Sequence, residues 1–513
     1  MEIRISGEAA LPGRAATARG VPRWAILLLI AIAARAITFG DPIVHSDEEF
    51  YFVAARAWLG GALPYVGVWD RKPVGLFLIY LPAAALGYPA GIWAYQAMAL
   101  ASATATAALV ARLADRAGWS RGALAAGAAY ILWLDLLEGQ GGQSPVFYNL
   151  LTAGAALLIC PRADDANRPS QRLRRGAAAL ALVGLALQVK YSVVFEGLYF
   201  GLGWLWRERR LGADRGRMTR GAMLLVASAV APTAAAWASY AALGHAREFL
   251  FADFLSIADR RTDPLAAQLA NLAVIAAVLA PLLAGATLAW RQRRGTAEDV
   301  SRQTWLFGWA LAALAGLITV GTWFSHYALP ALVPLAVCSA GFVARHRQGP
   351  KIAAAVLAVA FLGGQAMLAL KQAYRGAPAQ FGAVVKAVGT GPGCLYVYSG
   401  DSMLYAATDR CALSRYVFPS HLDRKREEGA VGVDQSVEAG RIMDRRPEVV
   451  VMRAPFPGER ADVRALISRR LKQGYVLKEH VPYGRDWVEV YRLRRLETIS
   501  DTLERRPLSH RHD

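Results

Sequence analysis

The feature that most constrains this chain is a succession of apolar runs, roughly 15 to 22 residues long, divided by short arginine-rich links. Runs of that length suit helices crossing about 30 Å of hydrocarbon, where backbone polar groups must be satisfied within helices or closed barrels. Spans are expected over 22–39, 92–111, 122–136, 146–160, 176–189, 191–206, 221–241, 270–290, 304–321, 326–343 and 352–370. The fold class is therefore an α-helical polytopic membrane protein with about eleven transmembrane helices. Lys and Arg crowd one alternate set of links: 207–220 holds six arginines, whereas 137–145 holds none. The crowded set is placed in the cytoplasm by the positive-inside bias. That parity holds only if "PVGLFLIYLPAAALGYP" (73–89) does not cross, so it is read as a helix in the outer interface. The loop 40–91 and residues 372–513 then share the non-cytoplasmic side.

The formal net charge of +19 would suit nucleic acid, but no groove-reading motif accompanies it, and basic residues beside spans are ordinary topology signals. The polar opening followed by "WAILLLIAIAARAITFG" reads as a retained signal anchor. Cys160 and Cys338 fall in or at spans and are read as buried thiols. Cys394 and Cys411, 17 residues apart, permit a disulfide on an oxidising side and equally permit two free thiols.

The chain divides into a membrane domain, 1–371, with interfacial helices in the first external loop, 40–91, and an external α/β domain, 372–497. Residues 498–513 are read as a disordered tail. In the α/β domain, "CLYVYSG" and "EVVVMRAP" predict strands, "GERADVRALISRRLKQG" a helix and "YVLKEHVPYGRDWVEVYRL" a hairpin. The pair 176–189 and 191–206 predicts two helices of about 15 residues, each rising roughly 22 Å. Lys190 at their junction then lies below the outer surface, either lining a polar cavity or snorkelling to the headgroups.

Charge reappears where lipid would forbid it, in "HSDEEFYFVAARAWLGGALPYVGVWDRKPVG" (45–75). "EEFYFVAARAWLGG" predicts an amphipathic helix at the membrane surface. Asp47 there is placed to act as a general base, its pKa raised by desolvation and by Glu48 and Glu49. A solvated acidic helix cap is the plainer alternative.

The stretch "SDEEFYFVAARAWLGGALPYVGVWDRKPVGLFLIYLPAAAL" resembles the first external loop of GT-C glycosyltransferases, specifically family 39, which includes protein O-mannosyltransferases and the aminoarabinose transferase acting on lipid A. The matching residues are Asp47-Glu48, Tyr51, Ala54, Ala55, "GALPY" and Lys72-Pro73, with Val74 where the family has a second proline. "QVKYSVVFEGLY", "FSHYALPALVPLA" and "LYVYSGDSMLYAATDRCALSRYVFP" extend the likeness in the expected order. Before the fourth span, where relatives carry an acid, this chain has Ser144-Pro145; Glu138 is a candidate substitute.

The resemblance implies an inverting transfer of a sugar from a polyprenyl-phosphate donor to a hydroxyl of a lipid, glycan or protein, with no nucleotide to hold. It casts Asp47 as base and Lys72 as the cation on the phosphate. Glu48, Tyr51, Lys190, Arg260, Arg261, His326 and Tyr327 are candidate substrate contacts; for the two arginines an ordinary loop pair, and for His326 a structural hydrogen bond, are competing readings. No metal is required, although Asp47, Glu48 and Glu49 could hold one divalent cation. The Ala- and Arg-rich composition points to a bacterial inner membrane with a periplasmic site. The main rival is a lipid-linked-glycan flippase or transporter. A glycan polymerase or ligase and a structural assembly subunit fit less well, because the strongest constellation lies in the first external loop.

Overall fold

The computed structural model describes residues 21–165 and 167–494. The expected signal anchor's polar segment, up to residue 20, and the tail from 498 lie outside them. Helices occupy all eleven stretches read as spans: α1 (Arg23–Arg35), α4 (Ala90–Arg116), α5 (Ala123–Leu136), α6 (Ser144–Ile159), α7 (Pro169–Leu187), α8 (Val194–Arg210), α9 (Arg215–Ala242), α11 (Leu265–Arg291), α12 (Ala297–Val320), α13 (Leu329–Arg345) and α14 (Gly349–Arg375). Among the described residues, six helices are long and apolar enough to cross a membrane. The chain is a multi-pass membrane protein.

Helices α2 (Ser46–Leu59) and α3 (Val74–Ala85) fill the first loop. At 12 residues, α3 rises only about 18 Å and cannot span hydrocarbon. It starts beside the α7–α8 junction, where the Leu76 amide donates to the Gln188 carbonyl at 3.1 Å. It ends against the start of α4, where Gly91 leaves no room for a Cβ beside the Ala83 carbonyl. Helix α13 runs through the middle of the bundle, packed on α5, α11 and α12 and buried along most of its length. The short α10 (Ala246–Leu250) continues into a π turn, Phe251–Leu255, in the loop between α9 and α11.

The C-terminal domain begins with α15 (Pro378–Val388), after α14 stops at Gly376, whose φ of 118° suits only glycine. Its sheet has the order β1-β2-β4-β3, from β1 (Leu395–Val397), β2 (Val449–Arg453), β3 (Tyr475–Tyr483) and β4 (Asp486–Leu493). β1 and β2 are parallel and the other pairings antiparallel. Helices α16 (Leu404–Thr408), α17 (Ser420–Asp423), α18 (Gln435–Asp444) and α19 (Ala461–Gly474) complete it.

This domain roofs the first loop. Arg56 pairs with Asp409 at 2.7 Å, the Trp69 amide donates to the Arg415 carbonyl at 2.9 Å, and Arg71 pairs with Glu427 at 2.7 Å. Cys394 and Cys411 form a disulfide, while Cys160 and Cys338 are free and buried. Closing a loop of this size contributes about 3 kcal/mol on the chain-entropy account. The double variant Cys394→Ser/Cys411→Ser is expected to lower the melting temperature of the roof domain, and reductant is expected to do the same to the parent protein.

Candidate active site

Two loops and the start of α2 meet under the roof. The N-terminus of α2 brings His45 and Asp47, and the loop before α6 brings Glu138 and Gln143. The loop before α3 brings Asp70 and Lys72. His45 caps α2: its Nδ1 accepts from the Asp47 amide at 3.1 Å and lies 2.9 Å from the Gln143 amide nitrogen. With Nδ1 accepting, the imidazole proton sits on Nε2, which faces Glu138 at 3.7 Å. Gln143 also donates to Asp47 Oδ2 at 3.2 Å. Tyr51, one helical turn after Asp47, is fully buried, and the Lys72 ammonium lies 5.4 Å from its ring centre.

Burial pushes the Asp47 carboxyl up. The charge of Lys72, with His45, His326 and the Gln143 amide, outweighs it and holds the group well below the usual carboxylate range. The sequence expectation of a raised Asp47 is thus reversed. Glu48 and Glu49 leave the helix in other directions. Glu48 lies against Gly141, where a Cβ would collide with its carboxylate, and Glu49 accepts from the Met403 amide of the roof at 3.4 Å.

Glu48 is fully buried, and burial pushes its carboxyl up to about 7. Between the ordinary 4.5 and that value, the folded chain holds a proton that the unfolded chain has lost, so stability falls as pH rises through the window and then levels off. The full difference is at most about 3 kcal/mol. Glu48→Gln is expected to melt like the parent at pH 4.5 and above it by pH 7.5; a constant gap across that range would contradict the assignment.

Glu138 is the second charged centre, in left-handed backbone at φ 64°, a strained conformation for this residue. The Arg35 guanidinium fixes the next turn by donating to the Gly139 carbonyl at 2.8 Å. Glu138 faces His326 at 3.4 Å, Lys371 at 3.1 Å and Arg375 at 3.7 Å. Its carboxyl is raised by burial but held low by the two histidines and Lys371. His45, Glu138 and His326 offer ligand atoms within 4.8 Å of one another, a set able to hold a metal ion, although Lys371 already claims the same carboxylate.

The remaining cations converge on Tyr327. Lys190 sits 4.4 Å over its ring, Arg260 is within its electrostatic reach, and Lys190 in turn feels Asp47 and Lys72. Arg260 is anchored by Glu427 at 2.9 Å, the carboxylate that also holds Arg71. Arg261 points elsewhere: its side chain is 63% exposed and pairs with Glu428 at 2.6 Å. Lys72 lies 3.6 Å from the buried Asp70, and the Asp70 and Asp47 charges outweigh burial to raise its pKa. The structure thus brings together Asp47, Tyr51, Lys72, Lys190, Arg260, His326 and Tyr327. It adds His45, Gln143, Asp70 and Lys371, which the sequence reading did not single out. Glu48 is behind this group, against the Gly141 backbone.

Several solved structures share this arrangement of helices. ArnT from Cupriavidus metallidurans bound to undecaprenyl phosphate superposes with a TM-score of 0.63 at 14% identity, over 91% of this chain and 97% of that one. The apo form of the same protein gives 0.60 at 12%. The apo oligosaccharyltransferase of Archaeoglobus fulgidus gives 0.54 at 12% identity, covering 84% of this chain and 69% of that one. The chain has the GT-C glycosyltransferase fold. No protein-family model matches the sequence, family 39 included, and no curated protein matches it either.

Proposed function

We propose that the protein is an inverting glycosyltransferase that moves a sugar from a polyprenyl phosphate to a hydroxyl acceptor at the outer face of a bacterial inner membrane. The observation that carries this reading is the half-buried Asp47 carboxylate, oriented by the Gln143 amide at 3.2 Å and facing a group of cations that includes Lys72, Lys190 and Arg260. A catalytic base and a phosphate cradle are what such a transfer needs. The fold supports this reading, as does the undecaprenyl phosphate bound to the ArnT structure that shares it.

In the proposed step, the acceptor hydroxyl gives its proton to Asp47 while its oxygen forms a bond to the anomeric carbon. The bond from that carbon to the phosphate oxygen breaks, and its electron pair leaves with polyprenyl phosphate. Lys72 and Lys190 receive the charge growing on the leaving oxygen. Donor binding also prepares the base: the phosphate neutralises part of the Lys72 field, so Asp47 becomes more basic only when a donor is present. Tyr327 supplies flat apolar surface for the sugar, and the buried Tyr51 backs Lys72. His45 and Gln143 orient the carboxylate. The lysines and arginine supply the positive charge, so the scheme needs no metal.

The disulfide and the low density of Lys and Arg in the loops on the roof side favour a periplasmic site. The test is a donor screen in nanodiscs, with polyprenyl-phosphate sugars and an envelope extract as acceptor, following free polyprenyl phosphate by mass spectrometry. Acceptor-dependent release is expected. Movement of labelled lipid between leaflets, with no release from any donor, would favour the flippase instead.

A further inference from the structure

At the end of the bundle opposite Asp47, a cavity of about 610 Å³ opens between the C-terminal ends of α6 and α8 and the N-terminal ends of α7 and α12. One side is apolar. Leu202 and Trp206, at 63% and 58% exposure on α8, place that side against the bilayer. The other side is cationic, lined by Arg172, Arg175 and Arg207 with a single acid, Asp165.

Arginines at this end of a membrane protein ordinarily mark topology and sit in water. Here they fold inward: the side chains of Arg172, Arg175 and Arg207 are only 4%, 16% and 20% exposed. Among the described residues their charge is also incompletely matched. Asp165 serves both Arg175 and Arg207, while Glu208 serves both Arg172 and Arg217. Nearby, Arg116 donates to the Leu157 carbonyl and pairs with no carboxylate among the described residues. The Arg175 Nε is buried without a hydrogen-bond partner. Among the described residues, the guanidinium groups of Arg172, Arg175, Arg207 and Arg217 share two carboxylates beside an apolar wall open to lipid, which matches an anion that carries an alkyl chain.

We propose that this cavity binds an acidic phospholipid of the adjoining leaflet, its phosphate at the unpartnered Nε edge of Arg175 and an acyl chain along Leu202 and Trp206. The proposal is independent of the transferase reading, and so is its test. Full-length protein would be taken from nanodiscs containing equal phosphatidylglycerol and phosphatidylcholine and its retained lipids counted by native mass spectrometry. Retention of phosphatidylglycerol is expected to exceed that of phosphatidylcholine about tenfold. Arg175→Gln with Arg207→Gln is expected to bring the two near parity. Ser301→Trp, on the cavity lining, leaves every charge in place and is expected to reduce retention of phosphatidylglycerol. Ser301→Trp carries the test if the charge variant fails to fold, as judged by its melting curve. Equal retention of both lipids by the parent protein would overturn the proposal. So would full retention in Ser301→Trp, or complete displacement by millimolar inorganic phosphate, which would identify the ligand as a free anion.

Discussion

Asp47→Asn is expected to lower turnover by about 10³-fold while leaving donor affinity within a few-fold of the parent, because a general base contributes on the order of 10² to 10⁴. Asparagine keeps the shape, and its oxygen can still accept from Gln143, which lies 3.2 Å from Asp47 Oδ2. What it loses is the negative charge, and with it the basicity needed to take the acceptor proton. The check is kcat at saturating donor and acceptor, together with donor binding measured without acceptor. A parallel loss of binding would instead make Asp47 a positioning group.

Lys72→Ala is expected to reduce kcat/KM by about 10³-fold and to weaken donor binding as well, since this cation meets phosphate both before and during bond breaking. It should also move the pH profile. Lys72 is the leading influence that holds Asp47 low against its burial. Without that charge the carboxyl rises, and the acid limb of kcat/KM shifts to higher pH. Lys72→Arg keeps the charge and is expected to hold the limb near its original position. A Lys72→Ala profile that only scales down, with no shift, would mean that Lys72 does not act on Asp47.

The bundle was legible because lipid simplifies the code: apolar run length and arginine-rich links place the helices, and charge parity alone removes α3 from the crossings. The small sheet was legible from short β-branched or aromatic runs and from the glycine in the hairpin turn at Gly484. The candidate site was legible where charge or a ring interrupts apolar sequence, as at Asp47, Tyr51, Lys72, Lys190, Arg260, His326 and Tyr327, but not in the contacts that join it. Asp47, Tyr51 and Lys72 share one loop, but His45 and Gln143 meet across 98 positions, and Lys371 reaches Glu138 from the far end of α14. No local pattern announces those contacts.

The reversed expectation for Asp47 has the same origin. Sequence neighbours suggested repulsion from Glu48 and Glu49, yet consecutive helical residues point about 100° apart. Glu48 meets Gly141 and Glu49 meets the roof, whereas the group acting most strongly on Asp47 is Lys72, 25 positions along. Arg260 and Arg261 show how fine the distinction is: one turns toward Tyr327 and its neighbour pairs with Glu428 in the roof.

The most direct test of the proposed transfer uses a donor labelled with ¹³C at the anomeric carbon and follows the product by NMR while free polyprenyl phosphate is counted. With the parent protein, each released phosphate is expected to accompany one product of inverted configuration, only when acceptor is present, and hardly at all in Asp47→Asn. A product of retained configuration, or an unchanged rate in Asp47→Asn, would contradict a single displacement driven by this base.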